Sequence, residues 1–124
     1  MHVRICRFSH GEEVSFGVLD NLDDQGEITD NSIIAILKGH PFGELDADGR
    51  VIAVSTVKLL APILPSKIIG IGRNYADHAA EMNSELPTEP LMFLKPSTSV
   101  IGPGQIITLP NQSSMVHHEA ELAV

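Results

Sequence analysis

The sequence predicts a mainly β (α+β) protein, in which a small N-terminal lobe precedes a second β-rich region with one short helix. Short apolar runs rich in Ile and Val recur along the 124 residues, separated by Gly, Pro, Asn and Asp. Hydrophobic residues make up 43% of the chain, which is enough for a buried core although aromatic residues are few. The pattern of apolar and polar residues changes near residues 60–66. This change predicts a domain boundary between residues 1–65 and residues 66–124.

The N-terminal lobe is predicted to start with a β-hairpin over residues 2–19, because the runs HVRICRF and VSFGVL flank the turn SHGEE. The segment NSIIAILKGH predicts a short helix, capped by Asn31 or Ser32 and ended by Gly39. The rest of the lobe is predicted to be a loop over residues 40–50 and extended chain over residues 51–64.

In the second region, SKIIGIG is typical of a buried strand and is followed at once by the polar residues RNY. The stretch ADHAAEMN contains helix formers and ends at Asn83, a residue tolerated at a helix C terminus. Proline ends two of the later apolar runs. The predicted elements are a strand over residues 66–72, a helix over 76–83, and strands over 91–95, 106–109 and 115–124.

The charge of the chain argues against nucleic-acid binding. With a net charge of −8 and a pI near 5.0, the protein would be repelled by a phosphate backbone. We find no basic amphipathic stretch for a membrane surface and no apolar run of transmembrane length. Cys6 is the single cysteine, which excludes an intrachain disulfide, and without a signal peptide the protein is expected to be cytoplasmic.

The segment MVHHEAELAV (residues 115–124) has the densest group of titratable residues. Alternate residues of a strand share a face, so Glu119 and Glu121 are predicted to point the same way, about 7 Å apart. Two such carboxylates can bind a hard cation such as Mg²⁺, Mn²⁺ or Ca²⁺ between them. The spacing alone is more typical of a solvent-facing strand with Glu outside and Leu inside, so both interpretations stay open.

Two further motifs have both a chemical and an ordinary interpretation. His78 and Glu81 lie three residues apart on the predicted helix and share a face. A carboxylate beside an imidazole orients the ring and raises its basicity, as a general base requires, but a surface His–Glu pair has the same spacing. Lys95, at the end of LMFLK, can hold a substrate carboxylate or be an ordinary exposed lysine.

Taken in order, these motifs closely resemble the start of the catalytic domain of the fumarylacetoacetate hydrolase family. The resemblance runs through KIIGIGRNYADHAAEM, EPLMFLKPSTSVIGPGQIITLP and VHHEAELAV, and covers residues 66–124 almost without interruption. Residues 1–65 look like the small N-terminal lobe that precedes this domain in many bacterial members.

The resemblance implies a mixed β-sandwich/roll catalytic fold, a homodimer when the protein is full length, and Mg²⁺ or Mn²⁺ as cofactor. It implies, for the intact protein, an enzyme whose partner is a small-molecule 2-oxo or 1,3-dioxo acid. The site residues that it implies are the catalytic pair His78 and Glu81, the substrate-binding residues Arg73 and Lys95, and the metal ligands Glu119 and Glu121.

The implied reaction is acylpyruvase-like hydrolysis of a C–C bond through a metal-stabilised enolate. Decarboxylation of oxaloacetate and isomerisation of 2-hydroxyhepta-2,4-diene-1,7-dioate use the same enolate and are the alternatives. The family's metal-binding aspartate has no counterpart here, since no acidic residue follows Glu121. The chain is therefore expected to be part of a longer enzyme, with an inactive truncated fragment or a metal-free binding module as the other interpretations.

Overall fold

The computed structural model of the chain describes residues 3–81, apart from the side chain of His78, and residues 85–124. Within this part of the chain the protein forms two antiparallel sheets and one α-helix, which confirms the predicted mainly β fold. The elements are β1 (Arg4–His10), β2 (Glu13–Asp20), β3 (Ile33–Leu37), β4 (Ala47–Ala53), β5 (Lys58–Leu60), β6 (Ile68–Gly72), α1 (Ala76–Glu81) and β7 (Leu91–Lys95).

The larger sheet has the strand order β4-β3-β2-β1-β5 and contains the predicted hairpin. In the hairpin, β1 and β2 pair without a break from the Arg4–Leu19 pair to the His10–Glu13 pair. Gly11 in the two-residue turn has a φ of +60°, which glycine adopts without steric cost. The hairpin prediction is confirmed.

The helix predicted over residues 31–39 is wrong, because Ile33–Leu37 form β3, which pairs with β2 on one side and β4 on the other. Three of the first four side chains in β3 are isoleucines, and β-branched side chains fit a pleated strand better than a helix. Ile34 and Ile36 alternate into the core with period two. Pairing with two strands and burial of Ile34 and Ile36 in the core therefore outweigh the helix-like cap and stop residues that flank the segment.

Ser32, predicted as a possible helix cap, is a buried polar residue with 1% of its surface exposed. Its hydroxyl donates to the carbonyl oxygen of Asn21 at 3.0 Å and accepts from the backbone N–H of Thr29 at 2.8 Å. These bonds fasten the loop between β2 and β3 to the start of β3.

The loop predicted over residues 40–50 ends earlier than expected, since β4 begins at Ala47. On β4, Arg50 forms ion pairs with Asp48 at 2.7 Å and with Glu13 of β2 at 3.2 Å. The ion pair with Glu13 connects β4, at the edge of the sheet, with β2 across β3.

The extended chain predicted over residues 51–64 is confirmed at residues 51–53 and 58–60, which belong to β4 and β5. Val54–Thr56 form a single 3₁₀ turn, and residues 61–64 belong to no strand. Beyond this turn β5 pairs with β1, so that Leu59 faces Phe8. The last strand of the sheet therefore lies beside the first.

The core of the larger sheet is centred on Phe8 and Ile34, which are 1% and 0% exposed. A Cβ atom on Gly17 would collide with the Cγ2 atom of Ile34 and lie 2.9 Å from the carbonyl oxygen of Ala35, so glycine is required by packing here.

Burial raises the pKa of the Cys6 thiol to about 11, as expected for a thiol inside a core. The core consists of Cys6, Phe8, Ile34, Ile36 and Val54, with Leu19, Ile52, Val57 and Leu59 packed against them.

The smaller sheet pairs β6 with β7 and confirms both predicted strands. The expectation that the first of them is buried is wrong, since Ile69 is 59% exposed. Between them, Arg73 has a φ of +54°, a left-handed conformation that turns the chain sharply from β6 towards α1. The predicted helix is confirmed over Ala76–Glu81, whereas its predicted end at Asn83 lies outside the described residues.

The strands predicted over residues 106–109 and 115–124 are wrong for this structure, which assigns no regular secondary structure to either segment. A strand requires a hydrogen-bonded neighbour, and the described residues place no strand beside these two segments. An alternating pattern defines a face but does not by itself supply that neighbour.

Candidate active site

The site is a cavity of about 390 Å³ between α1 and the segment that contains Glu119 and Glu121. The two parts of its wall are about forty residues apart in sequence, as a site built by tertiary folding requires. The cavity is lined by Tyr75, Ala76, Asp77, Glu81, Glu119, Ala120 and Glu121.

Tyr75 joins the two parts of the wall. Its backbone carbonyl accepts the N–H of Ala79 at 3.0 Å, in the first turn of α1. Its hydroxyl oxygen accepts the backbone N–H of Leu122 at 2.9 Å, across 47 positions of sequence. The residue after Glu121 is therefore held against the start of the helix.

Four of the lining residues are acidic: Asp77, Glu81, Glu119 and Glu121. Carboxylates that share a cavity repel one another, and a bound cation relieves that repulsion. Oxygen donors are the ligands that Mg²⁺ and Mn²⁺ prefer, so the donor chemistry fits the ion implied by the family resemblance. Among the described residues no three His, Cys, Asp or Glu side chains are close enough together to bind one ion, so this wall supplies only part of a coordination shell.

The structure brings three of the predicted site residues to the cavity: Glu81, Glu119 and Glu121. His78 lies on α1 between lining residues, but its side chain is outside the described residues.

The two predicted substrate-binding residues lie elsewhere. Arg73 lines a separate cavity of about 500 Å³ with Glu89 and other residues, and its Nη1 atom donates to the carbonyl oxygen of Glu85 at 3.4 Å. Lys95 ends β7 with its Nζ atom 5.7 Å from the centre of the Phe93 ring, within the range of a cation–π contact.

Sequence reasoning missed Tyr75 and Asp77 as lining residues. Asp77 lies in the first turn of α1, where an acidic residue is usually explained by the helix dipole alone. Tyr75 is the one tyrosine of the chain and directly precedes the helix. Because a tyrosine side chain combines an apolar ring with a polar hydroxyl, its position there could have indicated a residue that lines a site.

The class of protein follows from the mainly β fold, the E-x-E segment and the helix across the cavity, taken together with two family models. Residues 67–124 match the family model described as fumarylacetoacetate (FAA) hydrolase, C-terminal, and residues 3–62 match the model described as Rv2993c-like, N-terminal. Over residues 67–124 the chain therefore belongs to the fumarylacetoacetate hydrolase family.

Similar proteins include Protein Rv2993c of Mycobacterium tuberculosis, which is 44% identical over 98% of this chain and 45% of its own length. A mitochondrial oxaloacetate tautomerase (fahd2) of Xenopus laevis is 46% identical over 64% of this chain and 25% of its own length. The crystal structure of 5-carboxymethyl-2-hydroxymuconate delta-isomerase from Mycobacterium smegmatis superposes with a TM-score of 0.72 at 35% identity, covering 90% of this chain and 40% of that one. The chain thus spans less than half the length of each of these proteins.

Helix α1 has six residues. No helix in the described part of the chain has the length and apolar character needed to cross a membrane.

Proposed function

We propose that the intact protein is a divalent-metal-dependent enzyme that forms an enolate or enol from a 2-oxo or 1,3-dioxo acid. One observation carries the proposal: Glu119 and Glu121 share a cavity with Glu81 on α1. An anionic substrate would be repelled by a wall of carboxylates unless a cation were bound there. A bound metal ion would balance the charge of the acidic wall and would attract an acidic substrate.

Glu119 and Glu121 are the proposed ligands of Mg²⁺ or Mn²⁺, with the remaining coordination positions filled by water, substrate or other groups of the intact protein. When bound, the ion supplies a Lewis acid for the substrate's carboxylate and 2-oxo oxygens. The negative charges of Glu119 and Glu121 would attract the ion to this wall of the cavity. The start of α1 forms the opposite wall.

His78 and Glu81 are the proposed proton-transfer pair, because residues three apart on a helix are neighbours and Glu81 lines the cavity. In enolisation, His78 removes a proton from the carbon next to the 2-oxo group and returns it to a different atom of the product. In the hydrolytic alternative, His78 removes a proton from the water that attacks the distal carbonyl. The C–C bond then breaks to give a carboxylic acid and an enolate, and the enolate takes up the proton that His78 had removed.

Among these reactions, tautomerisation or isomerisation is favoured by the names of the relatives, an oxaloacetate tautomerase and a delta-isomerase. C–C hydrolysis of an acylpyruvate is the second candidate, favoured by the family model's description as a hydrolase. Decarboxylation of oxaloacetate shares the same enolate and is the third.

Several further features are proposals that follow from the family resemblance. We propose domains at residues 1–65 and 66–124, and a homodimer for the full-length protein. We also propose that Arg73 and Lys95 bind the substrate's carboxylates. Because both residues lie outside the lining of the acidic cavity, this role requires part of the substrate to extend beyond it.

The test is an assay of the full-length protein with Mg²⁺ or Mn²⁺ on oxaloacetate, an acylpyruvate and a 2-hydroxydienoic diacid. Glu119→Gln and Glu121→Gln keep the side-chain shape but remove a charge, and each should lower metal affinity and activity at least tenfold. Glu12→Gln, in the exposed turn between β1 and β2, is the matched control and should change neither. Unchanged metal affinity in both site variants would contradict the ligand assignment.

His78→Asn separates proton transfer from metal binding. It should lower kcat by a factor of about 10²–10⁴ while the Kd for Mn²⁺ changes by less than threefold. An equal loss of kcat and Mn²⁺ affinity would assign His78 a structural or ligand role instead.

A further inference from the structure

The hydroxyl of Tyr75 is the feature that the proposed chemistry leaves unexplained. Tyr75 is partly exposed, lines the acidic cavity and precedes α1, yet it is neither a carboxylate ligand nor a member of the proposed base pair. Its oxygen accepts the backbone N–H of Leu122 at 2.9 Å, a normal length for such a bond.

The position of the donor gives this bond its significance. Leu122 directly follows Glu121, so the hydrogen bond fixes the peptide group next to a cavity-lining carboxylate. The segment over residues 115–124 is exposed, and none of the strands in the described part of the chain pairs with it. The bond from Tyr75 is a long-range contact that restricts the backbone of this segment.

We infer that Tyr75 is a positioning residue that holds the Glu119–Glu121 segment against α1 in the geometry needed for metal binding. The inference rests on the proposed function, because it assumes that these glutamates bind the metal ion. A segment already held in its binding geometry loses less conformational entropy when the ion binds, and the ion is bound more tightly. The net value of one hydrogen bond corresponds to roughly a two- to tenfold change in an equilibrium constant.

Tyr75→Phe is the decisive variant, because it removes the hydroxyl and keeps the ring. In the full-length protein without metal, hydrogen exchange should show a faster rate at the Leu122 amide. Titration with Mn²⁺, followed by electron paramagnetic resonance, should show a Kd raised about two- to tenfold. A merely structural role for the ring would leave both measurements unchanged.

Ser32→Ala is the matched control, since it removes a hydroxyl that also bonds backbone groups, but in the larger sheet. It should lower the thermal midpoint without changing the Kd for Mn²⁺. A Kd unchanged by Tyr75→Phe, in a protein where Glu119→Gln does weaken Mn²⁺ binding, would overturn the positioning role alone. A Kd unchanged by both Glu119→Gln and Glu121→Gln would overturn the proposed ligand set, and the positioning role with it.

Discussion

Substitution of Gly17 by alanine tests the packing of the larger sheet most directly. Gly17 lies in β2 and pairs with Ile36 of β3. An added Cβ atom would collide with Cγ2 of Ile34, lie 2.9 Å from the carbonyl oxygen of Ala35 and lie 3.3 Å from a ring carbon of Phe8. Ile34 is fully buried, and the Ala35 oxygen belongs to the backbone, so neither can move without disturbing β3.

The expected loss of stability follows from two opposing effects. Overpacking a core costs about 1–3 kcal/mol, and the contact with backbone places Gly17→Ala near the upper end, at about 3 kcal/mol. Replacing glycine by alanine restricts the unfolded chain, which returns up to about 1 kcal/mol. The net free energy of unfolding should therefore fall by about 2 kcal/mol, or roughly 8 °C in Tm for a domain of this size.

Gly39→Ala is the control, because nothing lies within 4 Å of the added atom and its backbone is not left-handed. This variant should be as stable as the parent protein or up to about 1 kcal/mol more stable. Urea unfolding followed by circular dichroism gives both midpoints in one experiment. A Gly17→Ala midpoint at or above that of Gly39→Ala would refute the packing described for β2 and β3.

Three further predictions concern single residues. Ser32→Ala should lower the free energy of unfolding by about 1–3 kcal/mol in urea titrations, because two backbone groups lose their partner. Since burial raises the pKa of Cys6 to about 11, iodoacetamide at pH 8 should alkylate the native thiol at least tenfold more slowly than the unfolded one, by mass spectrometry. Hydrogen bonds from Arg50 lower the pKa of Glu13 and of Asp48, so their stabilisation is present above the usual pKa values and is lost as the pH falls through the lowered ones. Arg50→Met should thus reduce the acid sensitivity of the unfolding midpoint below about pH 4.5.

Each of these predictions has a result that would contradict it. For Ser32, the contradicting result is a midpoint equal to that of Ser15→Ala, whose hydroxyl donates to an exposed carboxylate. For Cys6, it is the same alkylation rate in native and unfolded protein. For Arg50, it is an acid-unfolding profile with an unchanged slope, which would mean that solvent screens the exposed pairs completely.

Local patterns were sufficient to predict the hairpin, β6, β7 and α1, because the apolar runs, the turn residues and the helix formers that indicate them all lie within the segments themselves. They failed at β3, where cap and stop residues favoured a helix, because pairing with β2 and β4 and burial of Ile34 and Ile36 in the core favour a strand. They failed again at residues 115–124, because pairing with another strand cannot be deduced from alternation within one segment.

Three acidic residues of the cavity could be predicted from the sequence, but the contact that joins the two parts of its wall could not. The family motifs indicated Glu81, Glu119 and Glu121, and the structure brings them to one cavity. The bond between Tyr75 and Leu122 was not predictable, since it depends on the tertiary placement of residues 47 positions apart. Even Asp77 has a common local explanation at a helix start, so its sequence context gave no reason to assign it to a site.

The pairing of β5 with β1 has a consequence for biosynthesis. All five strands of the larger sheet lie between Arg4 and Leu60, and the sheet is complete once its last strand pairs with its first. A ribosome that adds about 5–20 residues per second needs roughly 3–12 s to add the sixty or so residues that follow. Small β-rich domains fold within milliseconds to seconds. The N-terminal sheet can therefore be folded before Glu119 and Glu121 have been synthesised.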